Sequence, residues 1–445
     1  MDVNIQIKLP LNASILDQEN AIQAAVNQAG LLSTRLLLEG LNVDGRPLQL
    51  RDTEGRIMRM SAKKKPVIKE IQTPYGALSL PRFVYQSSAG GACLVPLDRA
   101  AGLIGSATPK FAQMVSSKIA EMPARAVARD LAHNHQRSVC LEQLQNITGR
   151  VGDLARAMQP HLPLEEAELP PADKVATVTL GVDAASMLMN TLSDDSAKDR
   201  RKSRQLDWRM GMVGTISFYD TEGERLHTQY LAQAPPEVLS EGKTAFWKQM
   251  DVQVKRIKDL YPKARYTGVS DGAPDLAAWL VPHTDEPPVL DYYHAAAYLD
   301  LAAPAFNTKP EEAAAWAAVA REDLREVEGA AGTLLAEMVG RRDEGRRRLS
   351  PQVREGLDKA IGYIQARVER MDYARLRAAG IPIGSGVTES ACKLLIKHRM
   401  CGPGMRWGHR AADHVLTLRS MLYSDGMWRV LWSKLSPKNP ALSDV

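Results

Sequence analysis

The spacing of hydrophobic and polar residues changes several times along the chain, and the first two patterns lie near the N-terminus. Residues 15–41 repeat apolar side chains three and four positions apart, which predicts an amphipathic helix. Residues 67–95 instead alternate apolar and polar side chains around Pro74-Tyr75-Gly76, which predicts a β-hairpin. We therefore expect residues 1–105 to form a mixed α/β region.

Helical spacing returns over residues 106–158 and predicts three short helices. Thr108 and Pro109 are a typical N-cap and first helical residue, and Ser138 is the expected cap of the third helix. Three short helices with a tight break before the last are typical of a helix-turn-helix, although any small helical bundle has the same pattern. The segment is therefore our candidate DNA-reading element, with a purely structural bundle as the alternative.

Prolines then interrupt the helical pattern over residues 159–173. This stretch contains several prolines with a cluster of glutamates between them, namely Pro160, Pro163, Pro170 and Pro171. Such a composition is typical of a linker, since proline neither continues a helix nor joins a central strand. We place the main domain boundary there.

Strand and helix patterns alternate after the linker. Val175–Asp183 is a run of β-branched residues that predicts a buried strand ending on a carboxylate, and the strand predicted over Arg265–Ser270 is followed at once by Asp271. The other elements expected in this region are hairpin strands over 209–220 and 225–233, helices over 236–260 and 275–280, and a strand over 289–293.

Two of these strands end in an acid, and in a ribonuclease-H-like sheet the two are neighbours. A carboxylate at a strand end points into the crevice where open α/β sheets bind ligands, although Asp is also a common turn former. Residues 302–380 carry only helical patterns. The expected fold class is α/β, with a ribonuclease-H-like mixed sheet core over 174–301 and 381–445 that is interrupted by an all-α insertion over 302–380.

A third acid, Glu389, lies in the first turn of a helix predicted over Thr388–Met400, directly after the tight turn Gly384-Ser385-Gly386. Lys393 and Lys397 follow at four and eight residues, so a regular helix places all three side chains on one face. Two explanations stay open. Glu389 is a functional ligand, or it is there because the helix dipole and the lysines favour an acid in the first turn.

The charge of the chain is uneven. The net charge is +5, and from residue 381 to the end nine Lys and Arg face four Asp and Glu. A basic surface beside an acidic site suits a polyanionic substrate. A second basic stretch contains Arg200 and Arg201, which could reach a phosphate backbone.

Cysteine spacing and hydropathy narrow the class of protein further. The four cysteines include no Cys-x-x-Cys pair, which argues against a disulfide framework and against a cysteine-based zinc site. No apolar run approaches the roughly 18–20 residues needed to cross a bilayer, and the first residues lack a signal-peptide pattern. We expect a cytoplasmic protein that has no membrane partner.

The three acids together predict a metal-dependent site. Asp183, Asp271 and Glu389 supply the hard oxygen ligands that Mg²⁺ and Mn²⁺ prefer. Two such ions about 4 Å apart stabilise the attacking and the leaving oxygen of a phosphoryl transfer. The basic residues expected to contact DNA phosphates are Lys393, Lys397, Arg399, Arg406, Arg200 and Arg201.

Five sequence blocks resemble those of the bacterial ISKra-type insertion-sequence transposases. The blocks are GVDAA, WRMGMVGTISFYD, SDGAPDLAAWL, VLDYYHAAAYL and IPIGSGVTESACKLLIKHRM. The resemblance covers about residues 174–435, with weaker stretches in the N-terminal half, and the last block is long and specific. Members of this family are DDE transposases with a helical insertion before the glutamate.

The resemblance implies that Asp183, Asp271 and Glu389 are the catalytic triad. It also implies that Asp291 and His294 are the Asp-x-x-His motif of related transposases, with His294 near the scissile phosphate; the alternative is a hydrogen-bonded structural histidine. Two Mg²⁺ ions, with Mn²⁺ as a substitute, are the implied cofactors. The implied partners are transposon ends and target DNA, bound by a homodimer or larger homo-oligomer at the bacterial nucleoid.

The chain departs from the family pattern at one turn, and two alternative functions stay open. Family members often have a Cys-x-x-Cys turn after the N-terminal hairpin, whereas this chain reads QSSAGGAC with Cys93 alone. A zinc knuckle is therefore not expected there. The alternatives to a transposase are a related nuclease without strand transfer and a domesticated, non-catalytic DNA-binding protein; the presence of all three acids argues against the second.

Overall fold

The structure is a computed structural model, and it describes residues 10–51, 57–87, 90–91, 93–192, 204–237, 242–344 and 349–435. The chain forms two compact units. One comprises Met1–Leu162 with Trp428–Val445, and the other comprises Pro163–Met427. The division at Leu162 falls inside the segment predicted as a linker. The last residues, which the sequence assigned to the core, group instead with the first unit.

The first unit begins with a long helix and two small sheets. The predicted N-terminal helix and the hairpin around Pro74-Tyr75-Gly76 are confirmed, whereas strands β1 and β2 were not predicted. The elements are α1 (Ile15–Gly40), β1 (Leu48–Arg51), β2 (Ile57–Ala62), β3 (Val67–Gln72), β4 (Ala77–Arg82), β5 (Tyr85–Ser87) and α2 (Pro96–Ala100). β1, β2 and β5 form one antiparallel sheet and β3 and β4 another. Leu38, Ile71 and Leu80 lie in the buried core between helix and hairpin.

Three helices follow, as predicted, but the third begins later than expected. They are α3 (Pro109–Glu121), α4 (Ala124–His135) and α5 (Leu141–Met158). Thr108 is the N-cap of α3 and a proline opens the helix, as predicted. Ser138 is not the cap of α5, because Cys140 holds that position. The α4–α5 connection is anchored by buried Arg137, whose guanidinium donates to the Thr73 carbonyl and the Gln72 side chain.

The second unit is built on a five-stranded mixed sheet. Its strands are β6 (Thr177–Leu192), β7 (Arg204–Tyr219), β8 (Arg225–Gln233), β9 (Arg265–Ser270) and β10 (Val289–Leu290), in the order β10-β9-β6-β7-β8. β9 pairs in parallel with both β6 and β10, and the other pairs are antiparallel. The expected α/β class with a mixed sheet is therefore observed. The strands that lead to Asp183 and Asp271 are neighbours, as predicted.

Strand β6 does not end at Asp183, as the sequence predicted. It continues to Leu192, because every residue up to that point pairs with β7. Its pairing with β9 stops earlier, at Gly181 opposite Val269. Asp183 therefore lies just beyond the parallel part of the sheet, in the middle of a long antiparallel ribbon. The residues that follow Asp183 were left out of the predicted strand, but they continue it.

Helices pack against the sheet where the sequence placed them, with shifted ends. Helix α6 (Thr244–Leu260) buries the predicted stripe Phe246, Met250, Val254 and Ile257, although it begins eight residues later than predicted. Helix α7 (Pro274–Leu280) follows β9. The strand predicted over 289–293 is only two residues long. Helix α8 (Tyr292–Ala302) begins immediately afterwards, because the Asp291 side chain caps it by accepting from the His294 amide.

The predicted all-α insertion is confirmed over its described residues. After α8 it contains α9 (Pro310–Glu326), α10 (Ala330–Glu344), α11 (Pro351–Gln365) and α12 (Tyr373–Ala378). It is not a separate body, because its apolar side chains share one core with the sheet edge. Val269 and Leu290 from the strands lie in the same buried cluster as Met338 and Leu357 from the insertion.

The last region starts with the helix that carries Glu389. The run Gly386–Met400 is helical, as predicted, but it consists of α13 (Gly386–Ala391), a π-helical turn over Cys392–Lys397 and α14 (His398–Met400). The expectation of one regular face through Lys393 and Lys397 is therefore wrong, because a π-turn shifts the following side chains around the axis. Helices α15 (His409–Tyr423) and α16 (Met427–Leu435) follow. None of the described helices is long and apolar enough to cross a membrane.

Candidate functional site

Asp183 is a half-buried carboxylate with few donors around it. Its Oδ1 accepts the Ala184 amide at 2.6 Å, and the Cys392 thiol donates a second hydrogen bond. Burial raises the pKa of Asp183 above its ordinary value, and the charges of Asp271 and Glu389 raise it further, while the two hydrogen bonds only partly compensate. Asp183 is thus close enough to both other predicted ligands to be repelled by them.

The helix that carries Glu389 lies directly on strand β6. A side chain on Gly181 would collide with the Thr388 hydroxyl, which lies 2.0 Å from the position of a Cβ. Thr388 is also within 2.8 Å of the Thr215 hydroxyl on β7. The strand therefore needs glycine at this point so that the first turn of α13 can approach the sheet. Glu389 is the next residue in that turn, and its Oε1 accepts from the Ser385 hydroxyl at 3.0 Å.

Asp271 follows directly after β9, in a sharp turn. Its Oδ1 accepts the Ala273 amide at 2.9 Å, and Gly272 has a φ of +90°, which only glycine adopts without strain. Because β9 runs parallel to β6, both strands deliver an acid toward the same edge of the sheet. The position of Asp271 is thus set by strand pairing and by one glycine.

A second group of potential ligands is more compact than the predicted triad. Each of Asp291, His294 and Glu389 offers a ligand atom, and these atoms lie within 4.8 Å of one another. Among the described residues this is the group that meets that criterion, and Asp183 and Asp271 are not in it. No ligand role was predicted for Asp291. The available signal was the spacing Asp-x-x-His at a helix start, where an N-cap and the third helical residue share one turn.

Asp291 is completely buried and heavily hydrogen-bonded. Its Oδ1 accepts the His294 amide at 2.7 Å and contacts the His294 Nδ1 at 3.0 Å, and its Oδ2 accepts the Ser385 amide. Burial would raise the pKa of Asp291, but the hydrogen bonds from Ser385 and His294 outweigh it and lower the pKa. The carboxylate therefore joins α8 to the loop that precedes the Glu389 helix.

The predicted DNA-contacting residues fall into different environments. Lys393 and Arg406 are exposed, and Lys397 donates to the Ser186 carbonyl and hydroxyl at 2.8 and 2.9 Å. The prediction that Arg399 contacts DNA is wrong. Arg399 is 4% exposed and its guanidinium lies 5.0 Å from the centre of the Trp407 ring, so it packs inside the fold. Arg200 and Arg201 lie outside the described residues.

The donor set at this edge suits a hard divalent cation. Carboxylates at Asp183, Asp271 and Glu389 come from β6, the turn after β9 and one helix. Burial raises the pKa of Asp183, and repulsion by the other two charges raises it further. A bound cation relieves such repulsion, and Mg²⁺ and Mn²⁺ prefer carboxylate oxygens. The imidazole of His294 adds a nitrogen donor that suits Mn²⁺ less than it suits zinc or iron. The oxygen-rich side of the site therefore fits the expected ions.

Comparison with known proteins adds no assignment. No protein-family model matches the chain, and no curated protein sequence matches it either. Any functional statement therefore rests on the side chains described above and on the fold that brings them together.

Proposed function

We propose that the second unit is the catalytic core of a DDE transposase with a ribonuclease-H-like fold. The observation that carries this proposal is that Asp183 lies near enough to Asp271 and Glu389 for their charges to act on it. Asp183 lies in β6 just beyond its parallel pairing with β9, Asp271 follows β9 directly, and the helix bearing Glu389 packs on β6. Burial raises the pKa of Asp183, and the charges of Asp271 and Glu389 raise it further. The strand order and the helical insertion ahead of the Glu389 helix support the same fold family.

Metal ions would be held by the carboxylates of Asp183, Asp271 and Glu389, with Asp291 and His294 beside Glu389. When bound, Mg²⁺ or Mn²⁺ neutralises charge on the phosphate and lowers the pKa of water. The protein residues supply the arrangement: the sheet fixes the two aspartates, and the Thr388–Gly181 contact fixes the helix that carries the glutamate. Ser385 holds the Glu389 carboxylate in one orientation.

The proposed reaction is a pair of phosphoryl transfers on DNA. In the first, water attacks the phosphorus and the bond to the 3′ oxygen breaks, leaving a 3′-hydroxyl and a 5′-phosphate. In the second, that 3′-hydroxyl attacks a target phosphorus and displaces another 3′ oxygen. No covalent bond to the protein forms. Asp291 contacts the Nδ1 of His294, so Nε2 is the ring nitrogen that would act near the scissile phosphate.

The proposed partners follow from the same reaction. Exposed Lys393 and Arg406, near Glu389 in the chain, offer positive charge to DNA phosphates. The substrates are transposon ends and target DNA. Cutting and joining two ends together calls for a homodimer or larger homo-oligomer, working in the bacterial cytoplasm on the nucleoid.

The test is Mg²⁺-dependent cutting of DNA that carries the ends of the element. Asp183→Ala, Asp271→Ala and Glu389→Ala should each abolish cutting while DNA binding persists. Asp358→Ala, which removes an exposed acid of α11, is the matched control and should cut normally. If the wild-type protein binds these ends and never cuts them, the proposal is wrong. Joining of a pre-cut end to a plasmid separates a transposase from a nuclease without strand transfer.

A further inference from the structure

Three consecutive residues at the end of β9 are each held by a side chain from one short stretch of the helical insertion. The Arg370 guanidinium donates to the Ser270 hydroxyl at 3.1 Å. The Tyr363 hydroxyl donates to the Asp271 carbonyl at 3.0 Å. Arg367 donates to the Gly272 carbonyl at 3.2 Å. The turn that carries Asp271 is therefore bonded residue by residue to the segment 363–370.

The three side chains are arranged to act together. They are spaced four and three residues apart, so the end of α11 and the turn after it present them to one side. The Arg367 guanidinium lies 4.2 Å from the centre of the Tyr363 ring. The same ring is stacked on the Tyr298 ring, with the two ring centres 3.7 Å apart.

The turn itself leaves no room for another arrangement. Gly272 has a φ of +90°, and a Cβ at this position would lie 2.7 Å from the Leu290 side chain and 2.9 Å from the Arg367 Nε. The insertion and the sheet edge share one apolar core, so the two sides of the contact cannot move apart without exposing buried surface. The bonds to Asp271 are therefore backed by close packing on both sides.

We propose that Tyr363, Arg367 and Arg370 are positioning residues through which the helical insertion fixes the Asp271 carboxylate for metal binding. This inference rests on the proposed function, in which Asp271 is a ligand. None of the three touches the reacting atoms in this scheme. They bind residues 270–272, so the helical insertion helps to set the geometry of the catalytic core. Outer partners of this kind typically change metal affinity about 10- to 100-fold.

The test compares two variants, each of which lacks the hydroxyl oxygen of one tyrosine in a stacked pair. Tyr363→Phe removes the hydroxyl that bonds the Asp271 carbonyl, and Tyr298→Phe removes the same atom from the neighbouring ring. We expect Tyr363→Phe to raise the Mg²⁺ concentration for half-maximal DNA cutting about ten-fold, with a smaller change at saturating Mg²⁺. Tyr298→Phe should leave the Mg²⁺ requirement unchanged. A purely structural role would lower activity equally at every Mg²⁺ concentration.

A second readout separates this inference from the proposed function. Amide hydrogen exchange of the segment 270–273 should speed up in Tyr363→Phe and stay at the wild-type rate in Tyr298→Phe. Unchanged exchange and an unchanged Mg²⁺ requirement in Tyr363→Phe would overturn the positioning role. Faster exchange in a protein that never cuts DNA would mean that the bonds order the turn and that the proposed function fails.

Discussion

Asp183 and Asp291 are acids of the same candidate site, and their surroundings shift their pKa values in opposite directions. Burial raises the pKa of Asp183 on β6, the charges of Asp271 and Glu389 raise it further, and one backbone amide and one thiol are too few donors to offset this. Asp291 at the start of α8 is fully buried, yet amides of Ser385 and His294 point at it and its pKa is lowered. Burial alone therefore does not decide the charge of these groups; the number of donors does.

The difference in pKa indicates different roles for Asp183 and Asp291. Asp291 is satisfied by the protein itself, so its main contribution is to join α8 to the loop ahead of Glu389. Asp183 is left short of donors and repelled by its neighbours, which is the condition that a bound cation relieves. Replacing either acid by its amide should separate the two roles, because the side chain keeps its shape and loses its charge.

The largest expected effect is on the activity of Asp183→Asn. DNA cutting should fall on the order of 10³-fold, because the site loses a carboxylate that would hold the metal ions, and bound metal stabilises the charge of the reaction by several kcal/mol. The free energy of unfolding measured in urea without metal should stay equal or increase, since the cost of burying the charge and the repulsion from Asp271 and Glu389 both disappear. A variant that is inactive because it is destabilised would show that Asp183 supports the fold and not the chemistry.

Asp291→Asn should have the next largest effect, on stability. The amide turns one acceptor into a donor, and that donor meets either the Ser385 or the His294 amide. Loss of one charged hydrogen bond in a buried site costs about 1.5–3 kcal/mol. Urea unfolding measures this loss, with Asp358→Asn on the exposed face of α11 as the control. If Asp291→Asn is as stable as wild type, the hydrogen bonds to the Asp291 carboxylate do not stabilise the fold, and the two aspartates do not differ in this way.

The sequence predicted only some of the structural features that distinguish Asp183 from Asp291. The β-branched run before Asp183, the acid after Arg265–Ser270 and the helix around Glu389 are local patterns, and each predicted its element. The pairing of residues 184–192 with β7 was missed, because small residues after an acid have the same pattern in a turn and in a ribbon. The pairing of the two strands that lead to Asp183 and Asp271 was anticipated from the expected fold family and not from spacing, since pairing depends on contacts far apart in the chain.

Other features depend on three-dimensional contacts that no local pattern records. The Ser385 amide that binds Asp291 lies 94 residues further along the chain, so burial of that acid could not be predicted. The π-turn over Cys392–Lys397 places Cys392 on Asp183 and Lys397 on Ser186, and regular helical spacing gives no sign of it. Arg399 has the sequence context of a surface cation, yet it is buried on Trp407.

The smallest expected effect is a difference in the pH dependence of stability, and its sign distinguishes the two acids. The raised pKa of Asp183 means that the folded protein holds this proton more tightly than the unfolded chain. Its unfavourable contribution is absent below the ordinary aspartate pKa of about 3.9 and grows as pH rises through the folded value. The lowered pKa of Asp291 acts oppositely: its contribution is present above about pH 3.9 and is lost as pH falls through the folded value.

Urea unfolding in the presence of a chelator, at pH values from about 3 to 7, measures both signs against the two amide variants. The stability of wild type relative to Asp183→Asn should decline as pH rises, because only wild type acquires the repelled charge. The stability of wild type relative to Asp291→Asn should instead decline as pH falls, because only wild type loses a bonded carboxylate. Parallel curves for the two comparisons would contradict the assignment, since they would mean that the surrounding donors do not distinguish Asp183 from Asp291.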